Sequence, residues 1–183
     1  MALRKSGIEE EFTDMWLGTV PPKNEEQTEY RLKLRDVALR GNPWCLVVVG
    51  SKGNGKSYYA QIAVNTFNNN GYKGGYYSTQ PLMESELRAE SKENTYKRYC
   101  EYPLLVIDEL SDRPNDWTEF IKTNIESILI ERHRRKNPTI LIGNITLERL
   151  MAMFDVRIRD RLKEGLFQIM VGKSLRKVNE ANK

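Results

Sequence analysis

The sequence feature that most constrains the fold is a glycine-rich octapeptide, Gly50-Ser-Lys-Gly-Asn-Gly-Lys-Ser57. The continuous apolar run Cys45–Val49 precedes it and predicts a short strand that is buried on both faces. The segment Lys56–Asn68 follows it with apolar residues at helical spacing, which predicts an amphipathic helix. A glycine-rich turn between a strand and a helix points main-chain N–H groups inward at the positive end of the helix, and this arrangement binds phosphate.

The residue types within the octapeptide predict a site for ATP and Mg²⁺. Lys56 is expected to reach the β- and γ-phosphates, and the Ser57 hydroxyl is expected to bind Mg²⁺. The residues expected to contact the nucleotide are Gly50, Ser51, Gly53, Asn54, Gly55, Lys56, Ser57 and Tyr58.

A second motif places two carboxylates after another apolar run. Leu104–Ile107 predicts a buried strand, and Asp108 and Glu109 follow it directly. The carboxyl ends of parallel strands share one edge of a sheet, so both side chains are expected beside the glycine-rich turn. Asp108 is predicted to hold Mg²⁺ through its water shell, and Glu109 to orient an attacking water molecule. A carboxylate at position 109 argues against a simple nucleotide kinase, which needs no activated water.

The remaining pattern alternates between strands and helices and predicts an α/β fold. A helix is expected over Glu25–Arg40, and later helices over 81–99, over 117–134 with Asp116 and Glu119 as an N-cap pair, and within 147–163. Further strands are expected at 74–78, 139–142 and 166–171. The prediction is a mainly parallel five-stranded sheet with helices on both faces, and no separate C-terminal lid domain. It divides the chain into an N-terminal arm and helix (1–40), a core (41–177) and a flexible tail (178–183).

Composition excludes several classes of protein. No stretch approaches the ~20 apolar residues of a membrane span, and the first residues lack the pattern of a secretory signal. We therefore expect a cytoplasmic protein without membrane contact. Cys45 and Cys100 are expected to be buried, reduced thiols, and His133 is the only histidine, which excludes a histidine-based metal cluster or triad.

The C-terminal part of the chain is basic. Residues 131–183 carry 13 basic and 6 acidic side chains, a surplus of 7. This surplus fits either a polyanionic partner or a solvated face that forms oligomers. Arg132–Lys136 either complements the C-terminal end of a helix or contacts a phosphate backbone.

Two further sets of polar residues are candidates for the site. Asn144, at the end of the strand over 139–142, is placed either to contact the γ-phosphate or the attacking water, or to serve as a turn or cap residue. In the segment 155–162, Arg157 and Arg161 share a helix face while Arg159 points elsewhere. An arginine from this segment either stabilises charge in the ATP site of a neighbouring subunit or forms local ion pairs with Asp160 and Glu164.

The order of these motifs resembles that of the AAA+ ATPases, in particular the DnaC/IstB type of helicase loader and transposition helper. The residues that carry the resemblance are Gly50–Ser57, Leu105–Leu110, Ile130–Ile140 leading to Asn144, Arg159–Leu162 and Gly172–Arg176.

The resemblance implies roles for three of these residues. Asn144 matches the family's first sensor, Arg161 its arginine finger acting on a neighbouring subunit, and Arg176 its second sensor, which contacts the nucleotide. Family members form homo-oligomers with shared ATP sites, bind single-stranded DNA, and load a replicative helicase or remodel a transposase. The resemblance thus implies a helicase-loader-like ATPase. The alternatives are a transposition helper acting on duplex DNA, a small-molecule kinase, and a binding module in which ATP serves only as a switch.

Overall fold

The computed structural model describes residues 7–79, 84–89, 92–113 and 116–172. Its five strands form one fully parallel sheet in the order β2-β3-β4-β1-β5. The strands are β1 (Cys45–Gly50), β2 (Gly74–Ser78), β3 (Leu104–Leu110), β4 (Thr139–Gly143) and β5 (Leu166–Met170). Each of the five predicted strands is present, and the parallel arrangement places all of their carboxyl ends at one edge of the sheet.

Helices cover both faces of the sheet and make a three-layer α/β fold. They are α1 (Glu25–Arg40), α2 (Lys56–Asn69), α3 (Glu84–Arg88), α4 (Lys92–Glu101), α5 (Glu119–Arg135), α6 (Leu147–Met153) and α7 (Val156–Leu162). The layer of α1 and α2 packs on one face, and the layer of α4 to α7 packs on the other. The described residues contain no separate lid domain, and none of their helices is both long and apolar enough to span a membrane.

The side chains of β1 show how one strand serves both layers. Leu46 and Val48 join the core beneath α1 and α2, whereas Val47 and Val49 join the core beneath α5 to α7. Successive side chains of a strand point to opposite faces, so a strand buried on both faces needs the unbroken apolar run that the sequence shows.

The N-terminal arm, residues 7–24, is packed along α2. It contains a 3-10 helix at Glu10–Phe12, and Phe12 and Leu17 are buried. Three polar side chains of α2 hold its main chain. Asn65 Nδ2 donates to the carbonyl oxygens of Thr13 and Met15 (both 2.9 Å), and Thr66 Oγ1 accepts from the Leu17 amide (2.9 Å). Gln61 exchanges hydrogen bonds of 3.0 Å with the amide and carboxylate of Glu9. The predicted extended arm is therefore part of the core.

Three elements differ from the prediction by more than one residue at a boundary. The N-cap of α5 is Thr118, whose Oγ1 accepts from the Ile121 amide (3.3 Å), and not Asp116. A hydroxyl at that position satisfies a free amide of the first turn, so the helix starts two residues later than predicted. The predicted helix over 81–99 is two helices, α3 and α4, and its predicted start at Pro81 lies outside the described residues. The strand β3 continues to Leu110 through an irregularity described below.

Arg132 has a structural position that the sequence did not reveal. It is fully buried at the edge where the strands begin. Its guanidinium donates to Thr139 Oγ1 (2.8 Å) and to the carbonyl oxygens of Tyr99, Cys100, Tyr102 and Pro138. These bonds join α5 to the end of α4 and to the starts of β3 and β4, so Arg132 is not available for a phosphate backbone. Cys45 and Cys100 are buried free thiols, as predicted.

Candidate functional site

The loop between β1 and α2 owes its shape to glycines in the left-handed region. Gly50, Gly53 and Gly55 have φ angles of 128°, 85° and 89°. A Cβ on Gly50 would lie 2.1 Å from the carbonyl oxygen of Met170, so this position also requires the absence of a side chain. The loop is anchored at its start, where the amides of Gly50 and Ser51 donate to the carbonyls of Ile145 (3.1 Å) and Met170 (3.0 Å).

The amides that follow this anchor are free to bind a ligand. Among the described residues, no hydrogen bond is donated by the main-chain N–H of any residue from 52 to 58. A succession of free N–H groups at the start of a 14-residue helix is a concave binding site for anions. The loop geometry therefore fits a phosphate group.

Lys56, the first residue of α2, is buried next to this row of amides. It is 4% exposed, and its ammonium donates to the carbonyl oxygens of Gly50 (3.1 Å) and Ser51 (2.6 Å). Burial lowers the pKa of Lys56, and the nearby Asp108 carboxylate opposes that shift. The chain thus holds a desolvated cation at the point where phosphate charge would lie.

Asp108 ends the regular part of β3, and both its carboxylate and its carbonyl oxygen accept hydrogen bonds. Its carboxylate accepts hydrogen bonds from the hydroxyl of Tyr76 and from the amide of Glu109 (2.5 Å), and its carbonyl accepts from Thr79 Oγ1 (2.9 Å). Burial, followed by the Asp108 charge, raises the pKa of Tyr76, which therefore stays protonated. The fold thus places the phenol of Tyr76 against Asp108, one of the two predicted metal ligands.

Glu109 points into the cleft because the strand is irregular at this position. Its φ angle is 60°, and the pairing of β3 with β4 shifts register between Ile107 and Leu110. A bulge of this kind re-aims a side chain, and a left-handed conformation is strained for a residue other than glycine. Burial and the charge of Asp108 raise the pKa of Glu109, while Lys52 lowers it. Asp108 is buried and Glu109 is exposed, so adjacent carboxylates have different surroundings.

A cleft of about 770 Å³ runs along the loop and is lined by Lys56, Ser57, Tyr58, Glu109 and Asn144, among others. This volume is within the range of about 300–1,000 Å³ that is typical of small-molecule sites. Asn144 is exposed at the end of β4, and the N-cap of the following helix is Thr146 rather than Asn144. The capping role considered for Asn144 is therefore taken by another residue.

The arm forms one wall of the same cleft through Val20, Pro21 and Lys23. Gln27 of α1 connects this wall to the loop. Its Nε2 donates to the Asn54 carbonyl (3.1 Å), while its Oε1 accepts from the Lys23 amide (2.8 Å) and from the Tyr59 hydroxyl (3.1 Å). Gln27 and Tyr76 belong to no sequence motif, and each contacts a partner distant in the chain, so no local pattern indicates either residue.

Arg161 lies at the opposite edge of the sheet. Its carbonyl oxygen accepts from Trp44 Nε1 (3.1 Å), and Trp44 immediately precedes β1, whereas the loop follows β1. The 6 residues of β1 span roughly 20 Å at about 3.3 Å per residue. The structure thus brings Asn144, Asp108 and Glu109 to the loop of their own chain but separates Arg161 from it. Arg176 lies outside the described residues.

Most of the basic side chains near the C-terminus of α5 and in α7 form local ion pairs. Arg134 and Arg135 contact Glu131 at 2.6 and 2.5 Å, Arg157 contacts Asp155 at 2.9 Å, and Lys163 contacts Asp160 at 2.8 Å. All of these are exposed, and such pairs contribute little to stability. Local pairing thus occurs in α7, but Arg157 pairs with Asp155, while the predicted partner Asp160 pairs with Lys163. Arg161 instead donates to the Arg157 carbonyl (2.9 Å).

The donors in the cleft fit Mg²⁺. Ser57 and Asp108 offer oxygen atoms only, which is the ligand type of this hard cation. The Asp108 side chain is almost completely buried, and a buried carboxylate favours a nearby cation. We therefore treat Ser57 and Asp108 as the residues that would hold the metal ion.

Solved structures share this fold. The crystal structure of the DnaC helicase loader has a TM-score of 0.72 and 23% identity, and the match covers 88% of this chain and 99% of that one. The crystal structure of DnaI also has a TM-score of 0.72, with 18% identity and coverage of 92% and 94%. The replication initiator DnaA bound to AMPPCP and single-stranded DNA has a TM-score of 0.72 and 17% identity, and covers 91% of this chain and 51% of its own.

These likenesses confirm the predicted α/β fold with its five-stranded parallel sheet, which this chain shares with the DnaC helicase loader, DnaI and DnaA structures. At 17 to 23% identity they concern the fold alone. No protein-family model and no curated protein matches the chain.

Proposed function

We propose that this chain, which has the fold of the AAA+ helicase loaders and initiators, binds Mg·ATP in the cleft and hydrolyses it. One observation carries the proposal: the free amides of residues 52–58, the buried ammonium of Lys56 and the pair Asp108–Glu109 converge at one edge of the sheet. Each of these groups binds phosphate, holds a metal ion or positions water, and no other single ligand class uses all of them.

Each residue of the cleft would have a separate role in ATP hydrolysis. The loop amides and Lys56 bind the phosphate oxygens, and Asn144 holds the terminal phosphate or the attacking water in place. Glu109 accepts a hydrogen bond from that water and orients it for in-line attack on the γ-phosphorus. Mg²⁺, when bound by Ser57 and Asp108, neutralises part of the phosphate charge.

Arg161 is proposed to complete the ATP site of a neighbouring copy. It lies across the sheet from the loop of its own chain and so does not reach its own nucleotide. A homo-oligomer in which α7 of one subunit faces the cleft of the next would place an arginine beside the developing charge. Arg176 is assigned to the nucleotide only through the family resemblance.

We further propose that the ATPase acts in DNA replication by loading or remodelling a replicative helicase on single-stranded DNA. Support comes from the fold shared with a helicase loader and with an initiator solved on single-stranded DNA, and from the surplus of 7 positive charges in residues 131–183. A preference for duplex DNA and a transposase partner would favour the transposition-helper alternative. The water-positioning Glu109 argues against a kinase.

Mixing two inactive variants tests the shared site. Glu109→Gln should keep ATP binding and lower turnover by about 10²- to 10⁴-fold, because it removes the base that orients water. Arg161→Ala should lower turnover by about 10³- to 10⁵-fold. A mixture of the two should recover part of the wild-type rate, since some interfaces then contain both intact halves.

Arg157→Ala is the matched control for the mixing experiment, because Arg157 lies one turn earlier on α7 and is exposed. Its turnover should stay close to wild type. Absence of recovery in the mixture would rule out the shared site, and absence of Mg·ATP binding to the folded wild-type protein would refute the proposed function altogether.

A further inference from the structure

Thr79 lies immediately after β2 and contacts the irregular part of β3 that carries Glu109. Its side chain is 2% exposed, and its Oγ1 donates to the main-chain carbonyl of Asp108 (2.9 Å). Thr79 and Glu109 also line one cavity of about 590 Å³, which Asn144 borders too. Thr79 therefore adjoins the space in which the attacking water is proposed to lie, although it belongs to no sequence motif.

The pairing of β3 with β4 is interrupted next to this contact. Two residues of β3 lie between its paired positions 107 and 110, whereas one residue of β4 lies between the matching positions 141 and 143. Asp108 and Glu109 together therefore oppose a single residue, which is the count of a β-bulge. A bulge disrupts the ladder locally, so the main-chain groups at this point need partners from outside it.

The peptide unit between Asp108 and Glu109 is bonded at both of its polar ends to side chains. Its carbonyl oxygen accepts from Thr79 Oγ1 at 2.9 Å, and its N–H donates to Asp108 Oδ1 at 2.5 Å. The orientation of this peptide plane is coupled to the φ angle of Glu109, which is 60°. That angle is strained for a residue with a side chain and persists only where surrounding contacts hold it. A rotation of the plane that relieved the strain would move the Glu109 carboxylate.

We propose that Thr79 is a positioning residue for ATP hydrolysis: its hydroxyl holds the peptide between Asp108 and Glu109 in the orientation that aims the Glu109 carboxylate at the attacking water. This inference rests on the proposed function, which assigns the orientation of water to Glu109. Among the described residues, the Thr79 hydroxyl hydrogen-bonds to the Asp108 carbonyl and to no group of the glycine-rich loop. Its loss should therefore lower kcat and leave nucleotide affinity unchanged.

The test compares variants of Thr79 in steady-state ATP hydrolysis and in calorimetry with Mg·AMPPCP. Thr79→Val keeps the shape of the side chain but removes the hydroxyl, so kcat should fall by about 10- to 100-fold, the cost of misplacing a reacting group. Affinity for Mg·AMPPCP should stay close to that of wild type, because the loop amides and Lys56 are unchanged. An unchanged kcat in Thr79→Val would overturn the proposal.

Thr79→Ser is the conservative variant, because it keeps the donor, and its kcat should be close to that of wild type. Thr79→Cys has a similar shape but is a weaker donor, so its kcat should lie between those of the serine and valine variants. The cysteine variant also replaces the valine variant if the latter does not fold. A serine variant that is as slow as the valine variant would refute the role of the hydroxyl.

Thr139→Val is the matched control for the loss of a buried threonine hydroxyl. Thr139 has no exposure and lies at the opposite edge of the sheet, where its Oγ1 accepts from Arg132 (2.8 Å) and donates to the Asn137 carbonyl (3.0 Å). This variant should have a lower melting temperature and a kcat close to that of wild type. Equal losses of kcat in Thr139→Val and Thr79→Val would reduce the role of Thr79 to stability and contradict the proposal.

A double variant tests whether Thr79 acts through Glu109. In a Glu109→Gln background the carboxylate is absent, so adding Thr79→Val should lower kcat by a smaller factor than it does in wild type. Equal factors in both backgrounds would show that the two residues act independently. If wild-type protein neither bound Mg·AMPPCP nor hydrolysed ATP, the proposed function would fail; normal wild-type turnover with an unaffected Thr79→Val would remove only this inference.

Discussion

Two buried cations at opposite edges of the sheet differ in how the fold satisfies them. Lys56, where β1 ends, is 4% exposed and donates to two carbonyl oxygens of its own loop. Arg132, where β3 and β4 begin, has no exposure and donates to Thr139 and to the carbonyls of Tyr99, Cys100, Tyr102 and Pro138. Burial lowers the pKa of both groups.

The difference lies in what surrounds each cation. The acceptors of Arg132 come from three elements and match the fixed fork of its guanidinium, so Arg132 connects those elements. Lys56 has three donors, of which the described residues accept two, and it lies beside main-chain amides that have no acceptor. A buried cation whose donors are all satisfied is typical of a structural role, whereas one with a free donor beside free amides is typical of a ligand site.

The largest loss of stability is expected from Arg132→Ala. The change leaves several buried carbonyl oxygens without a donor, at about 1–3 kcal/mol for each group. We expect the free energy of unfolding to fall by at least about 3 kcal/mol in urea denaturation. Arg134→Ala, which removes an exposed cation two residues away, is the control and should leave the free energy of unfolding close to that of wild type. Similar losses in the two variants would show that Arg132 does not connect the elements.

Lys56→Ala should weaken nucleotide binding without lowering stability, which is the opposite of what we expect for Arg132→Ala. Nucleotide affinity should fall by about 10- to 150-fold, which corresponds to the loss of a charged hydrogen bond of about 1.5–3 kcal/mol. Stability should stay the same or increase, because a partly unsatisfied buried charge is removed. Calorimetry with AMPPCP and urea denaturation of the same samples measure the two quantities. A strongly destabilised protein with unchanged affinity would reverse the assignment of the two cations.

The smallest effect on stability and binding is expected from replacing Gln27, a neutral side chain that hydrogen-bonds to the loop. Gln27→Leu removes the donor to the Asn54 carbonyl and should cost about 1 kcal/mol. It should also weaken AMPPCP binding by several-fold, because the loop loses a contact that fixes its shape. Asn65→Ala is the control: it removes two bonds to the arm and none to the loop, so it should lower stability alone. Equal binding losses in both variants would argue against a specific role for Gln27.

The sequence predicted features that depend on neighbouring residues more accurately than features that depend on residues far apart in the chain. The strand β2 and the helix α1 were predicted to the residue, because apolar periodicity and punctuation by glycine are local signals. The N-cap of α5 was wrong by two residues, since Asp116 and Thr118 are both acceptable caps and only the packed helix selects one. The bulge that aims Glu109 arises from the register with β4, which no local pattern contains.

The sequence by itself determined the glycine loop, the two carboxylates near the end of β3 and the parallel sheet that joins them. These follow from residue type, spacing and the alternation of strands with helices. The tertiary structure alone decided that Tyr76 binds Asp108, that Arg132 is enclosed by carbonyls, that the arm packs on α2, and that Arg161 lies away from its own loop. The physical reason is that a hydrogen-bonding side chain has many chemically equivalent partners, and only the packed core determines which of them lies within reach.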